Sequence, residues 1–125
     1  GKELRHYEKS AREAVGVSPD GKKVYCKSMW HTITSVDAAS LEVYWCAETG
    51  AGYEISPTSI VRIGNEVIMP TDKGNIIGFG AEDGSSLWAR KISIALVNPM
   101  EVWSEGEVTY ILASTMDGTV TLLRR

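Results

Sequence analysis

Apolar positions come in short runs along most of this chain, and turn-forming residues separate them. From Glu66 the sequence reads Glu-Val-Ile-Met-Pro-Thr, Asp-Lys-Gly-Asn, Ile-Ile-Gly-Phe-Gly, Ala-Glu-Asp-Gly, then Ser-Ser-Leu-Trp-Ala-Arg-Lys-Ile. Runs this short, bounded by Gly, Asp and Asn, predict strands joined by tight hairpins. Gly64-Asn65 marks another reversal just upstream. Before it, Gly52 to Val61 (GYEISPTSIV) reads as a first strand interrupted by Pro57. Pro70 lacks the N–H that a ladder needs, so an irregularity is predicted in the second strand.

The pattern recurs. Val24 to Trp45 aligns with Val67 to Trp88 at an offset of 43, each opening on Val and closing on Trp. A third copy runs from Ile111 to Leu123, with Gly118 placed 44 residues after Gly74. Ile55-Ser56-Pro57 likewise recurs as Val97-Asn98-Pro99. A period of roughly 40 to 45 residues with several short strands per unit predicts β-propeller blades. The expected fold is all-β, with about three blades of four antiparallel strands.

The copies divide the chain into an outer strand over residues 2–8, a blade over 12–48, a blade over 52–92 and a partial blade over 96–125. The outer strand follows from aligning Gly1 to Arg5 with Gly84 to Trp88 and with Leu41 to Trp45. In the first copy the hairpin tip reads Met-Trp-His-Thr, with His31 where Gly74 and Gly118 stand. That tip is expected to use another turn or to carry strain. Three blades are fewer than the roughly four to eight of a closed ring. Either more blades precede this segment in a longer chain, or two copies form a six-bladed ring. The second arrangement sets Lys2 to Glu8 of each copy beside Thr119 to Arg124 of the other, a homodimer made by terminal strand exchange.

Composition narrows the chemistry. The chain has 125 residues, a net charge of −3 and no Lys/Arg run, so it lacks the basic footprint of a nucleic-acid binder. No stretch approaches the roughly 18 to 20 apolar residues of a membrane span. There is no signal-peptide pattern and no initiator Met, which suggests a piece cut or processed from something longer. His6 and His31 are the only imidazoles, too few to build a histidine metal cluster. Cys26 and Cys46 fall in the second and fourth strands of one blade, about twice the ~4.8 Å strand spacing apart, beyond disulfide reach. They are expected as separate thiols in packed or half-packed positions. The acidic residues Asp37, Glu42, Asp72, Glu82, Asp83 and Asp117 lie in repeat-equivalent turns, where a carboxylate more often forms the turn than binds a ligand.

Within the copies, Asp37-Ala38 and Trp45, then Gly74, Ala81, Gly84 and Trp88, resemble the repeat of the pyrroloquinoline-quinone-like (PQQ-like) propellers. Ser40-Leu41 replaces that repeat's threonine-glycine, Gly80 its aspartate, and Arg5 its tryptophan. The resemblance implies that Trp45 and Trp88 dock adjacent blades. Similar propellers occur in quinoprotein dehydrogenases, in an envelope lipoprotein that assists outer-membrane protein assembly, and as bacterial sensor or scaffold modules. Lacking a quinone platform or a clustered set of calcium ligands, the chain reads as non-catalytic. No catalytic, metal or cofactor-binding residue is assigned, and no cofactor. The expected role is a binding or sensing module of a larger bacterial protein, placed outside the cytoplasm by the resemblance. The alternative is a structural part of a quinoprotein-like dehydrogenase whose active site lies elsewhere. The candidate contact surface gathers the loops at one end of the blades: Trp30, His31, Tyr53, Glu54, Asp72, Lys73, Met116 and Asp117. The partner, a protein or a small ligand, is not named by the sequence.

Overall fold

The computed structural model describes residues 1–4, 14–28, 30–54 and 59–125. Eleven strands form three antiparallel sheets among them. The first sheet orders β1 (Ala14–Val17), β2 (Lys23–Lys27), β3 (Trp30–Asp37) and β4 (Val43–Tyr53). The second orders β5 (Val61–Ile63), β6 (Glu66–Pro70), β7 (Asn75–Gly80) and β8 (Ser86–Lys91). The third carries β9 (Glu101–Glu105), β10 (Val108–Ser114) and β11 (Val120–Arg124). Consecutive strands pair in every case, the arrangement that short turns permit.

The sheets stack through two apolar clusters. Tyr25, Ile33 and Trp45 of the first sheet meet Val67, Met69, Ile77, Phe79 and Ala81 of the second, with Ile60. The opposite face of the second sheet gives Ile68 and Ile76 to a cluster with Val97, Met100, Ile111 and Ala113. Adjacent residues of β6 and β7 thus face opposite neighbours, as the period-two alternation of a strand requires. The second sheet is covered on both faces, which explains its nearly continuous apolar runs.

The repeat survives at atomic detail in the hairpin tips. The N–H of Ser28 donates to the Thr32 carbonyl, that of Thr71 to Asn75 and that of Thr115 to Thr119, each at 2.9 Å. Gly74 and Gly118 take φ of 80° and 88°, and His31 takes 74° at the same place. The first tip therefore keeps the glycine turn and carries the strain. Leu41 repeats the lesson at φ 62°, matching Gly84 at 72°. A side chain in this left-handed region costs roughly 1 kcal/mol. His31→Gly should accordingly raise the unfolding free energy by about 0.5–1 kcal/mol, measurable by urea denaturation.

Several expectations need correction. The segment Gly52 to Val61 is not one strand: β4 runs on to Tyr53, β5 starts at Val61, and residues 55–58 lie outside the described ones. The first blade's last strand thus extends past residue 48, because Gly50 and Gly52 at positive φ let it twist onward. Pro70 causes no irregularity, and β6 pairs with β7 in unbroken register through Pro70–Ile76. The next N–H, that of Thr71, donates to the Asn75 carbonyl across this hairpin. By alternation the Pro70 nitrogen faces the other way, past the end of β5, which pairs no further than Ile68. The register breaks lie instead at Gly78/Phe79 and within the β3–β4 pair.

Of the outer strand over 2–8, residues Lys2, Glu3 and Leu4 are not strand. Arg5 to Glu8 lie outside the described residues. Thr34 stands in register between Cys26 and Cys46, and both thiols are free. Cys26 is buried, which pushes its thiol pKa up. Cys46 is exposed, not half-packed, because its side chain lies on the opposite face of β4 from Trp45.

Candidate functional site

Tips and inter-sheet connections alternate along one end of the sheets, held together mainly by backbone groups. The end of β4 lies between the first and second tips: Trp30 pairs with Tyr53, and Lys73 Nζ donates to the Ala51 carbonyl at 3.4 Å. The connection after β8 lies between the second and third tips. There Ile92 N–H donates to the Gly74 carbonyl at 2.8 Å, Val97 N–H to Thr71 at 3.1 Å and Met116 N–H to Leu96 at 2.9 Å. A Cβ on Gly74 would fall 2.0 Å from the Ser93 carbonyl oxygen, so this close approach requires glycine.

Apolar side chains stand out from this end. Trp30 is 62% exposed, Tyr53 45%, Ile94 81% and Met116 70%. The Trp30 and Tyr53 rings meet edge to face at 5.3 Å, with the His31 ring 6.5 Å from Trp30. Trp30 and Tyr53 are brought together by the extension of β4. Ile94 belongs to the same end, in the connection Ser93 to Ala95 that the repeat alignment also assigns to this face, although Ile94 itself is not among the named candidates.

Three candidates behave differently from the exposed ones. Glu54 is interior, correcting its place on the contact surface. Its Oε1 accepts from Lys27 Nζ at 3.3 Å with both side chains at most 2% exposed, and its Oε2 accepts from Asp72 N–H at 2.6 Å. The pair ties the first sheet to the second tip. Asp72 is half-buried beside it, and its backbone serves that clamp. Asp117 is exposed, yet its carboxylate accepts from the Ser93 hydroxyl at 2.6 Å, from the Thr115 hydroxyl and from the Thr119 N–H. Those bonds, the Ser93 and Thr115 hydroxyls foremost, hold its pKa well below the ordinary carboxylate range.

Other turn carboxylates are occupied in the same way. Asp83 accepts from Ser85 N–H, and Asp37 accepts from the Tyr44 hydroxyl at 2.6 Å and from the N–H groups of Ala39 and Ser40. With the Tyr44 bond leading, the Asp37 pKa falls from 3.8 to about 2. A depressed carboxylate adds stability that is complete above its unfolded pKa and is lost as pH falls toward the folded one. Asp37→Asn should therefore melt below the parent at neutral pH. The gap should persist to about pH 4 and close between about pH 4 and pH 2, as a pH series of thermal melts would show. Among the described residues no group of three or more His, Cys, Asp and Glu could hold a metal ion.

Trp45 and Trp88 make different contacts. The Trp45 ring lies on Gly84, where an added Cβ would fall 2.4 Å from it, and its Nε1 donates to the Ala81 carbonyl at 2.9 Å. Both contacts cross from the first sheet to the second. Trp88 lies on Gly78 of its own sheet and donates to Glu66 Oε2 at 3.0 Å. The Arg125 guanidinium covers it at 5.1 Å while pairing with Glu66. Burial pushes the Glu66 pKa up, but its bonds from Arg125 and Trp88 bring it below the ordinary value. A groove of about 490 Å³ opens beside Trp88, lined also by Arg90, Ile111, Leu122 and Arg124. On the outward face of the third sheet, Trp103 stacks on Tyr110 at 5.3 Å.

No protein-family model and no curated protein matches the chain. Solved structures do. BamB from Moraxella catarrhalis superposes with a TM-score of 0.68 at 16% identity, over 90% of this chain and 37% of that one. Saccharomyces cerevisiae Sqt1 gives 0.75 at 11% identity, over 91% and 31%. The WD40 repeats of RRP9 give 0.68 at 11%, over 96% and 40%. Such identities speak to fold alone, and the chain spans about a third of the length of each structure. The three sheets are a β-propeller segment of about three blades. The likeness extends to WD40 rings as well as to BamB, so backbone shape does not choose between repeat families.

Proposed function

We propose that this segment is a non-catalytic binding module of a larger propeller, and that its partner contacts the hairpin-tip end at Trp30 and Tyr53. The observation that carries this reading is the outward display of Trp30, Tyr53, Ile94 and Met116 along one end of the arc. Contiguous exposed apolar groups mark interaction surfaces, and aromatic anchors dominate their energetics. The tips bearing them are held by backbone bonds and by a buried ion pair, so little conformational freedom is lost on binding. The Asp37-Ala38 turn, Gly84 and Trp45, whose contacts cross from the first sheet to the second, favour the PQQ-like repeat type. With it come the expectations of a bacterial envelope location and a scaffold or sensor role.

The test is selection of a randomised-peptide phage library on the immobilised chain. Selected peptides should bind the Trp30→Ser/Tyr53→Ser double variant at least tenfold more weakly, while Trp103→Ser leaves binding unchanged. A library that yields no binder, or binders indifferent to the double substitution, contradicts the reading.

A further inference from the structure

The tip end carries carboxylates and cations in unequal states of use. Glu54 is taken up by Lys27 and the Asp72 N–H, and Asp117 by Ser93, Thr115 and Thr119. Glu48 lies farther down β4, opposite Thr32. Lys73 differs from these. It is exposed on the second tip, and its ammonium lies against the end of β4, held there by the Ala51 carbonyl. A Cβ at Gly52 would come within 3.4 Å of that ammonium. Because residue 52 is glycine, the cation lies beside bare backbone next to Tyr53. One carbonyl contact at 3.4 Å leaves an ammonium with donors to spare. An aromatic corner and an under-used cation therefore adjoin on a single strand extension.

Resting on the reading above that the tip end binds a partner, we infer that this corner takes a peptide segment in which Asp or Glu neighbours an aromatic or aliphatic residue. The apolar side chain packs against Trp30 and Tyr53, and the carboxylate accepts from Lys73 Nζ. Charge complementarity supplies the choice of occupant. A basic peptide would meet Lys73 as a like charge and find the Glu54 and Asp117 carboxylates already bonded.

The sequences enriched by the same phage library test this directly. They should carry Asp or Glu beside Phe, Tyr, Leu or Ile. A synthetic copy of the strongest binder should lose about fivefold or more in affinity when its acid is replaced by the amide. That loss should vanish on Lys73→Met and survive on Lys73→Arg; both variants alter an exposed side chain, and circular dichroism checks their fold. Enriched sequences without an acid, or an amide effect that persists on Lys73→Met, overturn the inference while leaving binding at Trp30 and Tyr53 intact. Binding indifferent to Trp30 and Tyr53 overturns the underlying reading as well.

Discussion

Replacing Trp45 with alanine should cost about 3–5 kcal/mol of unfolding free energy, the range of large aromatic deletions from a core. The indole fills the space between the first two sheets, with Tyr25 at 6.2 Å on its own side and Gly84 beneath it on the other. Its loss also strips the buried Ala81 carbonyl of a donor. Against a total stability of roughly 5–15 kcal/mol, this one change should bring the chain close to unfolding, as a urea titration would show. A companion substitution isolates the contact. Gly84→Ala drives a Cβ into the Trp45 ring and also places alanine at φ 72°. In the parent it should therefore cost well above the ~1 kcal/mol of left-handed strain. In the Trp45→Ala background only that strain should remain. Equal costs in both backgrounds would mean that the ring does not rest on Gly84.

Lys27→Met is the second large effect. Lys27 and Glu54 are almost completely shielded from water, and removing one member leaves a buried carboxylate without its counter-charge. Breaking such pairs costs about 3–5 kcal/mol. The double change Lys27→Met/Glu54→Gln should recover more than half of the loss, because the amide oxygen still accepts from Asp72 N–H. Equilibrium denaturation of the three proteins checks both statements. The pair also bears on function, since Glu54 directly follows Tyr53. Loosening its anchor should weaken peptide binding at the tip end as well as stability.

What the sequence revealed, and what it hid, follows from the reach of each signal. Strand order and hairpin positions were legible because turn glycines and apolar runs repeat at 43 and 44 residues, and each is a local requirement of the backbone. The same repeat marked the strained tip at His31, which stands where other copies place glycine, whereas the strain at Leu41, which stands where Gly84 does, emerged only from its backbone angle. Pro70 misled because a missing N–H matters only where a neighbour would accept from it, and β5 ends before that point. Glu54 misled because nothing local marks a carboxylate whose partner, Lys27, lies far back in the chain on another strand of the same sheet. The reach of β4 to Tyr53, which creates the aromatic pair, depends on Gly50 and Gly52 turning the strand onward. Glycine alone does not distinguish a strand that bends from one that stops.

The tip-end site can be tested through the four indole N–H signals, because the four tryptophans occupy four environments: the tip, the first interface, the groove beside Trp88 and the outward face of the third sheet. A ¹⁵N-labelled chain titrated with a library-selected peptide reads them together, with Trp30 assigned through its absence in Trp30→Phe. The Trp30 signal should move with peptide concentration, while those of Trp45, Trp88 and Trp103 stay in place. Movement of Trp88 or Trp103 with Trp30 unchanged would put the binding surface in the Arg-lined groove or on the third sheet, and would contradict the account.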